Sequence, residues 1–182
     1  MRVYVETGIL IDYLAQGPFA MLRSTRRRGR EPAHLLADAS EVLREISTRH
    51  EGAASAFACY EAEEALYRLI RASLQGQPHV AAARLTAARP ILGQALTAVR
   101  FFGLTVLPLV EDAVAALARA DELVNYRIRA ADGLHLMTAA AFDADLVLSA
   151  DADLLRVDRL VRNRSGHPMR CCDTDVAMAV LQ

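Results

Sequence analysis

Short continuous apolar runs alternate with amphipathic stretches along most of the chain. Residues 2 to 5 (RVYV) read as a strand that passes directly into a helix at 8 to 15, GILIDYLA. Residues 16 to 34 are polar, hold Gly17, Pro18, Gly29 and Pro32, and predict a loop or short helix. Leu35, Leu36, Ala39, Val42, Leu43 and Ile46 then fall at i, i+1, i+4, i+7, i+8 and i+11, one stripe of a helix over 35 to 49. After Gly52, AASAFACY reads as a buried strand running into the helix EAEEALYRLIRASL, which Gly76 and Pro78 should end. An Ala-rich helical segment follows to about 102, and Pro90 should kink or divide it. LTVLPLV, residues 104 to 110, is strand-like, with Pro108 confining it to an edge or a strand end. Residues 111 to 124 predict one amphipathic helix with Val110, Val114, Leu117 and Val124 inward. A helix (AADGLHLMTAAAF), a buried strand (DLVLSA), a short turn or helix (DADLLRV) and a last edge strand (PMRCC) complete the pattern. Apolar strands alternating with helices predict an α/β fold, a parallel sheet covered on both faces.

Length fits one domain over residues 1–182. Although 53% of residues are hydrophobic, charged or amide side chains interrupt every candidate run before the ~18 apolar residues a membrane span needs. A soluble protein with no membrane association is expected. The N-terminus enters a strand-like run without the features of a secretion signal, so a cytoplasmic setting is expected as well. Cys59, Cys171 and Cys172 are odd in number and two are adjacent, which suits buried thiols better than disulfides or a four-ligand zinc site.

A net charge of -1 leaves no global field to draw the protein to nucleic acid. The run RSTRRRGR at 23 to 30 is a local exception with five Arg, read either as a solvated face or as a phosphate- or partner-binding arm. All 21 basic side chains are Arg. Lacking Lys, the chain cannot build a P-loop or carry out Schiff-base chemistry.

In a parallel sheet, ligands bind beyond the carboxyl ends of the strands, where strand hands over to helix. Acids recur there: Glu6 after VYV, Glu61 opening the helix after AASAFACY, Asp132 starting AADGLHLMTA, and Asp151 after DLVLS. Any one of them has an ordinary reading as a helix cap or a first-turn acid. Together, three follow apolar runs whose ends should converge on one sheet edge. Carboxylates crowded there repel one another unless a cation sits between them. Oxygen ligands favour a hard ion, Mg²⁺ or Mn²⁺, and phosphodiester hydrolysis is the natural chemistry.

The motifs VYVETGILIDYL, SAFACYEAEEAL and RAADGLHLMTAAAFDADLVLSADADLL, in that order, resemble the PIN-domain nucleases, in particular the VapC-type toxins of bacterial toxin–antitoxin pairs. The resemblance covers about residues 2 to 15, 53 to 75 and 104 to 156, leaving 16–52 and 76–103 as helical additions. It implies a PIN-like three-layer α/β/α fold and a metal-dependent endoribonuclease whose catalytic and metal-binding acids are Glu6, Glu61, Asp132 and Asp151. Ser149 stands where the family has Thr or Ser near the site, and Thr7, Glu64 and Asp153 are possible supporting residues. The family's first acid is Asp where this chain has Glu6, and Gly8 replaces its Ser or Asn. His135, among Leu134, Leu136 and Met137, reads as a packing residue that could touch a ligand. Asp12, Asp173 and Asp175 are left outside the site.

The expected reaction is in-line attack by a metal-activated water on an RNA phosphodiester, with Arg side chains holding the backbone. The resemblance further implies an antitoxin partner, and helix 35 to 49 and the arm at 78 to 102 are candidate docking or homodimer surfaces. The alternatives are a PIN-fold RNA- or protein-binding module with weak or no cleavage, and a metal-dependent phosphoesterase acting on a small molecule.

Overall fold

A computed structural model describes residues 1–22, 26–73 and 81–182. In chain order the elements are β1 (Arg2–Val5), α1 (Thr7–Leu14), a 3-10 helix (Gly17–Leu22), α2 (Pro32–Arg49), β2 (Glu51–Ser55), α3 (Ala56–Ser73), α4 (Ala81–Ala88), α5 (Pro90–Phe101), β3 (Thr105–Leu107), α6 (Glu111–Ala118), α7 (Asp121–Asn125), α8 (Ala130–Ala141), β4 (Leu146–Leu148), α9 (Ala152–Leu155), β5 (Arg170–Cys172) and α10 (Thr174–Leu181). Among the described residues the strands form one five-stranded sheet in the order β3-β2-β1-β4-β5, with every pair parallel.

β1 occupies the centre because both its faces are apolar. Tyr4 lies in register between Ala53 and Val147. Alternation along the strand sends Val3 and Val5 to one side, against Leu10, Val42, Ile46 and Leu181 of α1, α2 and α10. Tyr4 points to the other side, with Leu123, Leu136 and Leu154 of α7, α8 and α9. The result is a three-layer α/β/α architecture, consistent with the PIN-like arrangement expected. A third cluster ties α3 (Leu66, Ile70) to α5 (Ile91, Ala95) beside the sheet. No helix among the described residues is long and apolar enough to cross a membrane.

Several local expectations change. The strand in AASAFACY stops at Ser55, whose Oγ accepts a hydrogen bond from Phe57 N at 3.0 Å and so caps α3 at Ala56. Glu61 therefore lies in the second turn of its helix instead of opening it. The helix expected over 111 to 124 breaks after Ala118, and its phase resets at α7. Ala113 and Leu123 become the buried positions, Leu117 stays partly buried, and Val110, Val114 and Val124 are exposed. Pro90 divides the Ala-rich segment as expected, standing at the start of α5. β2 takes residues 51 and 52 from the first helical addition, and α2 packs directly on the main core. α10, absent from the sequence reading, is capped by Asp173, whose carboxylate accepts from Thr174 N. Cys59 is only half-buried, whereas Cys171 and Cys172 are buried. The expected helix end at Gly76 and Pro78 lies outside the described residues, as does Arg23. Two arginines of the polar run, Arg27 and Arg30, are largely buried in ion pairs, so a freely solvated face does not describe them.

Candidate functional site

The crossover from β3 to β4 passes from one side of β1 to the other, so the carboxyl end of β1 is the point where the sheet's winding reverses and a crevice opens. A cleft of about 660 Å³ lies there, lined by Glu6, Thr7, Glu61, Asp132 and Asp151 together with Arg26, Arg27, Arg68 and Arg129. All four acids singled out in the sequence thus line one cleft, although Asp132 and Asp151 fall outside the close group that Glu6 and Glu61 form with His135 among the described residues. Glu64 and Asp153 do not line the cleft; they pair with Arg68 on α3 and with Arg156 just past the end of α9.

Glu6 caps α1, the ordinary role weighed for it, and is nonetheless buried. Its Oε2 accepts hydrogen bonds from Gly8 N at 3.0 Å and Ser149 Oγ at 3.1 Å. Burial pushes its carboxyl above the usual range, against the lowering effects of His135, Gly8 and Ser149. Gly8 leaves room for this approach: a Cβ there would lie 2.7 Å from Ala150 Cβ and 3.0 Å from Glu6 Oε2. Ser149 is fully buried and also takes Asp151 N at 2.9 Å, which sets the loop after β4. Asp151 caps α9 through Asp153 N at 2.6 Å.

Glu61 is held by two side chains from other elements. Thr7 Oγ1 donates to its Oε2 in a short hydrogen bond, and His135 Nε2 lies 2.7 Å from the same oxygen. His135 Nδ1 is 2.6 Å from Tyr4 Oη. Burial raises the Tyr4 phenol well above its ordinary range, with the charge of Glu6 acting in the same direction, so it remains a neutral partner. His135 is pulled down by burial but raised more strongly by its hydrogen bond to Glu61 and by the charges of Glu6, Glu61 and Asp132, for a net upward shift. In either protonation state Nε2–H donates to Glu61, with Tyr4 donating to Nδ1 of the neutral ring or accepting from the imidazolium. Burial raises Glu61, and the contacts from His135 and Thr7 outweigh it, so that carboxyl falls below its usual range. The packing expectation for His135 was half of the picture: the ring is buried and also orients a carboxylate of the cleft.

Asp132 lies in the first turn of α8. Its carboxyl is raised, first by burial and then by Asp151, against Arg129. Its Oδ2 is buried without a hydrogen bond, 3.5 Å from Nε of the largely exposed Arg129. Ligand atoms of Glu6, Glu61 and His135 lie within 4.8 Å of one another. Both nitrogens of His135 are already engaged, which suits it to hold Glu61 rather than to bind an ion. Glu6, buried with a raised carboxyl, and Asp132, whose Oδ2 lacks a donor among the described residues, line the same cleft, and a hard cation would relieve both, so these residues fit a divalent ion. Sequence reasoning passed over Tyr4. The available signal was a phenol in a fully buried strand, which needs a polar partner. No family model matches the chain, and no curated protein and no solved structure matches it.

Proposed function

We propose that this protein is a metal-dependent endoribonuclease, a hydrolase of RNA phosphodiester bonds, acting as the toxin of a toxin–antitoxin pair. The observation that carries the reading is that Glu6, Glu61, Asp132 and Asp151, from four separate segments, line one cleft where Asp132 Oδ2 has no hydrogen-bond donor among the described residues, only the exposed Arg129 at 3.5 Å. The order of the motifs around these acids, which resembles that of PIN-domain nucleases, supports RNA as the substrate and an antitoxin and a second copy of the chain as partners.

The four acids would hold Mg²⁺ or Mn²⁺, which when bound neutralises charge on the phosphoryl group and acidifies water. The remaining tasks fall to the chain. His135 Nε2 and Thr7 Oγ1 fix the orientation of Glu61, and Ser149 Oγ with Gly8 N fixes Glu6. Such preorganised carboxylates need no rearrangement as charge develops, which is where most of the rate advantage of electrostatic catalysis arises.

The test is purified protein with RNA in Mg²⁺ or Mn²⁺ against chelator, beside Asp132→Asn and Glu61→Gln. Metal-dependent cleavage lost in both variants is the expected result. Equal cleavage by wild type and variants would mean a contaminating nuclease and refute the proposal, and metal binding with no RNA cleavage would favour a binding module or a small-molecule phosphoesterase.

A further inference from the structure

The arginine run supplies the feature that the acids leave unexplained. Residues 27 to 30 form a tight reversal, with Arg27 N donating to Arg30 O at 3.1 Å and Arg30 N to Arg27 O at 2.9 Å. Arg28 and Gly29 take positive φ of 49° and 81°, as a two-residue type I′ turn requires, and Gly29 does so without steric cost. Two buried acids tie this turn to the body of the fold. Arg27 Nη2 donates to Asp12 at 2.6 Å and to Asp173 at 3.0 Å, and Arg27 Nε donates to Asp173 at 3.0 Å. Arg30 donates to Asp38 and Thr174, each at 2.7 Å, and to Asp173.

Arg27 and Arg30 share this network but differ in what they face. Arg27 lines the acid cleft and Arg30 does not. Three of the cleft arginines, Arg26, Arg68 and Arg129, have side chains 68%, 74% and 75% exposed, whereas that of Arg27 is 17% exposed. Nε and Nη2 of Arg27 are committed to the aspartates, and among the described residues Nη1 makes no hydrogen bond. An exposed arginine loses rotamer freedom when it grips a phosphate, but a guanidinium already held in place loses little. The acid-lined cleft itself repels a polyanion, so a strand entering it needs a fixed donor beside the carboxylates.

The geometry points to Arg27 as the fixed anchor for a phosphodiester of the RNA strand entering the cleft, with Nη1 as the donor and Asp12 and Asp173 as the groups that position it. This rests on the nuclease reading above and deepens it, since it names which arginine holds the backbone. Arg26, Arg68 and Arg129 contribute long-range attraction without a fixed geometry.

The experiment compares Arg27→Met, Arg27→Lys and Arg30→Met, each built in an Asp132→Asn parent that the nuclease reading makes inactive. Binding of a short labelled single-stranded RNA of mixed sequence is followed by anisotropy in Mg²⁺ over a salt series, with circular dichroism to establish folding. Arg27→Met should weaken binding about tenfold, the value of one charged hydrogen bond. It should also reduce the slope of log K against log salt by about 0.7, one phosphate contact on a single strand. Arg30→Met should leave that slope unchanged. Arg27→Lys should keep the slope, because it keeps the charge, yet lose affinity because it lacks the fork. A folded Arg27→Met with parental affinity and slope overturns the inference, as does an equal loss of slope in Arg30→Met, since either makes the network a staple only. If Arg27→Met fails to fold, Arg27→Lys decides, and parental affinity there is the overturning result. Cleavage in the otherwise wild-type background separates the two levels. Wild-type cleavage with Arg27→Met binding like its parent removes only the role of Arg27, whereas no cleavage by wild type and no binding by the parent removes the nuclease reading as well.

Discussion

Replacing Asp132 by Asn should make the metal-free protein more stable and the metal-loaded protein less stable than wild type. Burial and then Asp151 raise the Asp132 carboxyl, so its charge costs stability at neutral pH, and a buried group in that state costs about 1–3 kcal/mol that the neutral Asn amide relieves. Two contributions oppose its removal. A carboxylate in the first turn of α8 gains about 0.3–1 kcal/mol from the helix dipole. The i,i+3 pair with exposed Arg129 adds a few tenths, about 0.3 kcal/mol. The balance is a gain of about 1 kcal/mol for the variant without metal, a rise in melting temperature of roughly 2–4 °C for a chain of this size. With Mg²⁺ at about a hundredfold excess over its dissociation constant, wild type gains about 2.7 kcal/mol by mass action and the order reverses. Calorimetry or dye-monitored melting of both proteins in chelator and in Mg²⁺ reads all four values. A lower melting temperature for Asp132→Asn in chelator would refute the cost assigned to the buried charge of Asp132. An Mg²⁺ gain equal to that of wild type would refute the assignment of Asp132 to the metal.

Other outcomes follow from the same geometry. Gly8→Ala should lose about 1–3 kcal/mol by overpacking against Ala150 and Glu6, offset by about 1 kcal/mol of better helix propensity. Urea unfolding should therefore show a net loss, and stability at or above wild type would mean that the close approach of α1 to the loop after β4 is not needed. Burial pushes the Cys171 and Cys172 thiols up to about 12, so few thiolates are present at neutral pH. Iodoacetamide should modify both only after denaturation, as read by mass spectrometry, and rapid labelling of the native protein would contradict the packing of β5.

Much of the fold was legible because its signals are local. The α/β architecture follows from apolar runs at strand length alternating with helical stripes, and Pro90 and Pro108 act through their own backbone wherever the chain goes. The failures are those of a one-dimensional pattern. A period cannot reveal where it is interrupted, so 111 to 124 read as one helix, and Val110, Val114 and Val124 were assigned to a core that the break before α7 leaves to Ala113 and Leu123. The Ser55 cap shortened a strand and moved Glu61 one turn along its helix.

For the site, the chain by itself determined that Glu6 and Asp151 follow strands, because a parallel sheet brings those ends to one edge whatever the details of packing, whereas Glu61, in the second turn of α3, and Asp132, on a helix that follows α7, reach the cleft through the placing of their helices. Only the tertiary structure decided how each acid is held. Glu61 meets His135 across 74 positions, Tyr4 meets His135 across 131, and Arg27 meets Asp173 across 146. No local period encodes such pairs, because they depend on sheet register and on the rotation of each helix about its axis. The same physics separates two residue types that look alike in sequence: an arginine in a charged run is a solvated cation until the fold buries two carboxylates beneath it.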